Sequence, residues 1–299
     1  MAMVKPEIVE TPEAVAKLVN RLTSIYGSGY KTIETSPVVY IDLEGVNLCR
    51  EGTISILTLL VHESGFSQHT YLIDVYTLGA QTFTTAGTDG PTLKDILEDP
   101  DIPKVFFDVR NDSDALFAHY GIALQSVEDV QLMESATRRD MYLRKHLSGL
   151  AKYMEKNITV GNLRRYTAWL DNKIAGEKLF KAEHGGSYEV FNKRPLPEDI
   201  IAYCAGDVQC LPELRNKFWG TRSQEWRDLV REETKRRVAS THMPDYRPYG
   251  KDKALAPWND EQNKVLDRLY WAPRFEDYTD DDDDYDEFSN AADDGDDYY

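Results

Sequence analysis

Three cysteines occur in 299 residues, Cys49, Cys204 and Cys210, and none has metal-finger spacing. Neither a disulfide scaffold nor a zinc finger is therefore expected, and a reducing compartment is the natural setting. The N-terminus, Met1-Ala2-Met3-Val4-Lys5-Pro6-Glu7, lacks the apolar centre of a secretion signal. The longest apolar run, Ile54 to Val61, is too short to span a bilayer. These absences predict an intracellular protein of cytoplasm or nucleus, neither secreted nor partnered with a membrane. Basic residues are missing from residues 276–299, which hold 13 Asp or Glu. That segment, including Asp280 to Asp284, Tyr285, Asp286 and Glu287, has no apolar periodicity and is expected to be disordered.

The net charge of −17 is mostly a property of this tail, because residues 1–275 carry 39 acids against 35 bases. Residues 215–253 tip the other way, with 11 basic and 6 acidic side chains. Arg227, Arg231 and Lys235 recur there every four residues, as a solvated helix face or a phosphate-contacting one would require. With 41% hydrophobic residues, the chain can bury a core sufficient for one large domain with extensions.

Thr11-Pro12-Glu13 has the capping hydroxyl and N1 proline of a helix start, leading an amphipathic helix to about Ser24. Strand-like runs follow at Val38 to Leu43, Thr53 to His62 and His69 to Val75, with short connections that suit an antiparallel meander. Thr92 to Leu97 then reads as helix, Lys104 to Phe107 as strand, Ser113 to Tyr120 as helix and Val127 to Leu132 as strand. Helical patterns occupy Leu147 to Tyr153, Asn162 to Leu170 and Pro197 to Trp219. The order predicts a three-layer α/β domain with a mixed sheet.

Two acidic motifs stand out. The apolar segment Val38-Val39-Tyr40-Ile41 runs into Asp42-Leu43-Glu44, and in an extended strand residues i and i+2 point to the same side. Asp42 and Glu44 would project together as hard oxygen ligands for Mg²⁺ or Mn²⁺. Far along the chain, Tyr203 and Asp207 lie four apart in a helical stretch, on one face. A third carboxylate is wanted between them, and Asp108, Asp112 and Asp114 are available. Asp112 sits where the chain leaves a strand and opens a helix, so it could turn back over the sheet end toward Asp42. Asp108 is next in order, and Asp112 could instead be an N-cap.

In this order the motifs resemble those of the DEDDy 3′–5′ exonucleases, the ribonuclease D-like and Egalitarian-like branch of the DnaQ-like superfamily. The likeness covers about residues 35–220. Asp42 to Leu48 looks like motif I of the Egalitarian-like group, Asp129 to Glu134 like its central strand, and Arg194-Pro195-Leu196 like the lead-in to the last motif. Phe107 departs from the histidine common at that place. The resemblance implies a ribonuclease H-like fold with a five-stranded mixed sheet over 35–220, and the remaining sequence reads as a helical extension over 1–34, a helical basic extension over 221–275 and the acidic tail over 276–299. It implies two ions, with Asp42 bridging both, Glu44 and Asp207 completing the site of the ion that carries the attacking water, Asp112 holding the second, and Tyr203 orienting the water. Leu43, Gly45, Val46, Asn47 and Arg194 become candidates for contact with the substrate, although Leu43 could pack in the core and Gly45 could serve only a turn. The implied activity is release of nucleoside 5′-monophosphates from a 3′ end of nucleic acid, RNA slightly ahead of single-stranded DNA. A nucleic-acid-binding adaptor that keeps the fold without turnover is the alternative.

Overall fold

The computed structural model describes residues 5–27, 38–62, 68–88, 90–156, 163–220 and 222–272. The acidic tail lies outside them. The elements run β1 (Glu7–Val9), α1 (Pro12–Gly27), β2 (Val39–Glu44), β3 (Ile56–His62), β4 (Gln68–Ile73), α2 (Val75–Leu78), α3 (Gln81–Thr84), α4 (Leu93–Glu98), β5 (Lys104–Phe106), α5 (Arg110–Tyr120) and β6 (Val127–Asp129). Helices follow as α6 (Val130–Ala136), α7 (Met141–Arg144), α8 (Leu150–Lys156), α9 (Leu163–Phe180), α10 (Glu198–Gln209), α11 (Leu211–Trp219), α12 (Gln224–Thr241) and α13 (Asp260–Trp271).

The sheet has six strands in the order β1-β4-β3-β2-β5-β6. Strands β2, β3 and β4 form the antiparallel meander, while β5 and β6 add parallel to β2. The sixth strand is β1, which pairs parallel with β4, so the N-terminal segment supplies sheet as well as helix. Three residues bounded by Pro6 and the helix start are too few to show a period of two. The strand expected over Val127 to Leu132 also ends early, at Asp129. Asp129 accepts from the Gln131 N–H and caps α6, so residues 130–134 continue as helix rather than as a central strand. The stretch Pro197 to Trp219 divides in two at Cys210.

Alternation along β2 sets the layers. Val39, Ile41 and Leu43 are buried on one face among α1, α4 and α5 residues such as Leu18, Leu97 and Leu116. Tyr40 faces the opposite layer, where α10 and α11 contribute Val208, Leu211 and Leu214. Asp42 and Glu44 continue the Tyr40 side of the strand, and the start of α10 seals that layer with Ile200, Ile201 and Cys204. No described helix is long and apolar enough to cross a membrane.

Helix α12 belongs to the body of the fold. Trp226 is buried and donates to the Ala136 carbonyl, and Arg237 donates to Asp129 at 2.7 Å and to Gln131 at 2.9 Å. The basic row on this helix is engaged locally. Arg227 and Arg231 lie over the Trp219 ring, Arg231 also pairs with Asp228, and Lys235 pairs with Glu232 at 3.9 Å.

Candidate metal centre

The sheet end where β2 stops brings three distant segments together. Asp42, Glu44 and Asp207 each offer a carboxylate oxygen, and these atoms lie within 4.8 Å of one another. Two residues of strand spacing align the first pair, and α10 crossing that face supplies the third. Asp112 approaches from α5, in whose first turn it sits as a helix residue rather than as a cap. Its Oδ1 accepts the Leu43 N–H at 3.1 Å, which ties α5 to β2 between the two motif I acids.

Placement separates the three motif II acids. Asp108 is gripped by Arg110, Asp114 by Arg50 at 2.7 Å, and only Asp112 has no cationic partner among the described residues. Burial, then the charge of Asp42, raises the Asp112 pKa well above the carboxylate range. Burial, then the charge of Asp207, pushes Asp42 up to about 7, and burial followed by Asp42 raises Glu44 as well. Asp207 is raised by burial even though Lys173 opposes the shift. Like charges held this closely disfavour one another's ionised form, and a cation placed among them would relieve the repulsion.

Two oxygens say where. Asp42 Oδ2 and Asp207 Oδ1 are buried with no hydrogen-bond partner. Uncompensated buried carboxylate atoms are costly, and an all-oxygen donor set suits a hard divalent ion. The residues therefore fit a centre for a hard divalent cation.

Tyr203 lies one turn before Asp207 and is 7% exposed. Its hydroxyl accepts from the Lys173 ammonium at 2.9 Å, and burial followed by the charges of Glu44 and Asp207 holds its pKa well above 10. Lys173 was not found by motif reasoning. It donates to Asp207 Oδ2 at 2.5 Å and lies 4.1 Å above the Tyr203 ring. Burial alone would lower its pKa, but Asp207, Glu44 and Asp42 hold it above the usual lysine value. The signal was the stripe Tyr166, Trp169, Lys173, Gly176, Phe180, with helical spacings of three and four and a lysine at its centre. The helix was expected to end at Leu170, before that stripe was complete. Gly176 completes the arrangement, because a Cβ there would lie 2.6 Å from Tyr203 Cβ; its absence lets α9 close on α10.

The substrate-contact candidates are dispersed. Leu43 is 2% exposed in the opposite core layer, so its side chain packs. A Cβ at Gly45 would lie 2.0 Å from the Thr53 carbonyl oxygen, so the turn itself requires glycine. Val46 is half-buried and exchanges hydrogen bonds with Thr53, whereas Asn47 is exposed at a φ of 49°. Arg194 is held in a forked pair by Asp74, lies over Tyr76 and donates to the Ser55 carbonyl.

Residues 6–221 match the family model described as 3′-5′ exonuclease. The mouse piRNA biogenesis protein EXD1 is 26% identical over 209 residues, 69% of this chain and 33% of that protein. The human EXD1 protein is 27% identical over 209 residues, covering 37% of its length. The chain thus spans about a third of these curated relatives. Among solved structures, Trypanosoma brucei RNase D in complex with RNA U12 aligns with a TM-score of 0.64 at 20% identity, over 88% of this chain and 80% of that one. Escherichia coli RNase D aligns with a TM-score of 0.50 at 18% identity, over 80% and 51%.

Proposed function

The chain belongs to the 3′–5′ exonuclease family, and from that premise we propose that it removes nucleoside 5′-monophosphates from the 3′ end of nucleic acid, RNA ahead of single-stranded DNA. The observation that carries the reading is the convergence of Asp42, Glu44 and Asp207 with two orphaned carboxylate oxygens, beside Asp112.

Asp42, Glu44 and Asp207 would hold one Mg²⁺ or Mn²⁺ ion, and Asp42 with Asp112 a second. Bound ions of this kind supply hydroxide at neutral pH and offset charge on the attacking and leaving oxygens. Tyr203 is suited to orienting rather than to removing a proton. Its hydroxyl oxygen accepts from Lys173, its hydrogen is directed toward the Asp207 carboxylate beside the metal cluster, and its raised pKa keeps it neutral at working pH. A hydroxyl fixed on one side by an ammonium and aimed by a helix can hold a water or a phosphate oxygen in line for attack. The RNase D complex with RNA supports RNA as the first substrate to try.

The test is incubation of the chain with 5′-labelled single-stranded RNA, single-stranded DNA and recessed duplex, in Mg²⁺, Mn²⁺ or EDTA. The expected result is a ladder shortening from the 3′ end with either ion and none in EDTA. Binding without shortening in any metal would instead favour the adaptor.

A further inference from the structure

Resting on the metal-centre reading above, we propose that Lys173 is a built-in cation of the carboxylate site that sets how many divalent ions the substrate-free protein holds. Its ammonium touches Asp207 Oδ2 at 2.5 Å and the Tyr203 hydroxyl at 2.9 Å, and its side chain is 12% exposed. Asp207 is thereby left with one oxygen, Oδ1, to offer an ion. A carboxylate oxygen of Asp207 belongs to the cluster formed with Asp42 and Glu44, a group that could hold one ion.

The charge balance points the same way. Asp42, Glu44, Asp112 and Asp207 carry a formal −4 when ionised, and Lys173 reduces this to −3. One divalent ion brings the site close to neutral, and a second would make it positive. A phosphodiester contributes the single negative charge that restores neutrality. Lys173 therefore couples the second ion to the arrival of substrate: the free protein holds one ion tightly, and the second becomes favourable once a phosphate is present. Gly176, one turn further along α9, holds the lysine to this post by allowing contact with Tyr203.

The experiment is calorimetric titration of Mn²⁺ into the full chain, with Lys173→Met, Lys173→Arg and Asp42→Ala alongside and with circular dichroism to establish folding. Wild type is expected to bind one Mn²⁺ strongly and a second at least tenfold more weakly. Lys173→Met should bind two with affinities within tenfold of each other, and Lys173→Arg, which keeps the charge, should restore the wild-type pattern. Lys173→Gln serves the same purpose as Lys173→Met should the methionine variant not fold. Identical number and affinity of Mn²⁺ in wild type and the neutral variants would overturn the role of Lys173 while leaving the metal centre standing. Wild-type binding no stronger than that of Asp42→Ala would overturn the metal centre itself, and this inference with it.

Discussion

Asp108 and Asp112 lie on either side of the start of α5, and their surroundings could hardly differ more. On one side half-buried Asp108 and fully buried Asp129 meet Arg110 and Arg237, Gln131 and the N–H groups of Asp108 and Val109, so every charge has a counter-charge. The Asp108 pKa is lowered: burial opposes this, but Arg110 and Arg237 outweigh it. On the other side Lys173 pairs with Asp207 and its charge reaches Asp42 and Glu44, Asp112 has no cationic partner among the described residues, and all four pKa values are raised. One cluster is complete within the chain and contributes to holding it together. The other is left anionic at a cost in stability, which is the arrangement expected of a site meant to receive something positive.

The sharpest way to break this contrast is to remove one carboxylate from the anionic cluster. Asp42→Ala or Asp207→Ala should forfeit several kcal/mol of charge stabilisation, about 10³-fold or more in 3′-end shortening. In EDTA the melting temperature of Asp42→Ala should stay level or rise, because repulsion is relieved, whereas Asp207→Ala also strips the largely buried Lys173 of its ion pair and should lose stability. A variant that trims RNA normally would end the assignment.

The paired cluster should respond in the opposite way. Arg237→Ala leaves Asp129 buried with its charge uncompensated, and such losses cost about 3–5 kcal/mol. Chemical denaturation should detect this, and a change below about 1 kcal/mol would mean that the two clusters are not different in kind.

Tyr203→Phe keeps the ring packed beneath Lys173 and removes only the hydroxyl. A loss of ~10²-fold in kcat is expected, with an unchanged melting temperature. Full turnover together with a lowered melting temperature would make the residue a packing element only.

The smallest effect is a pH dependence. A carboxylate whose folded pKa lies above its unfolded value keeps its proton longer in the folded state, so stability falls as pH rises through the interval between the two values. For Asp42 that interval runs from 3.8 to about 7. In EDTA the melting temperature should therefore decline between about pH 4 and 7. Asp42→Asn should flatten the decline, and Mn²⁺ should reverse it at the upper end, where the ligands are ionised. A flat wild-type profile in EDTA would contradict the raised values.

What could be read from the sequence follows the range of the forces involved. The two-residue spacing of Asp42 and Glu44, the four-residue spacing of Tyr203 and Asp207, and the strand-to-helix position of Asp112 are local geometry, and local geometry brought these side chains to one sheet end. Features that depend on distant partners were not legible. Arg194 is held by Asp74, 120 residues away, and Lys173 by Asp207, 34 residues away. The apolar residues of 127–132 read as strand until the Asp129 cap converts them to helix. The basic row of α12 followed helical spacing as expected, but its two arginines lie over Trp219, which the spacing alone could not disclose.

The bond between Arg237 and Asp129 also has a consequence in time. Asp129 emerges from the ribosome 108 residues before its counter-ion. At ordinary rates of synthesis that is a wait of roughly 5–20 s. During that interval the sheet and α5 can assemble, but the aspartates beneath them stay open to water, so the nascent domain remains unsealed until α12 follows. A chain stopped at residue 221, where the family match ends, would be left permanently at that stage of its own manufacture.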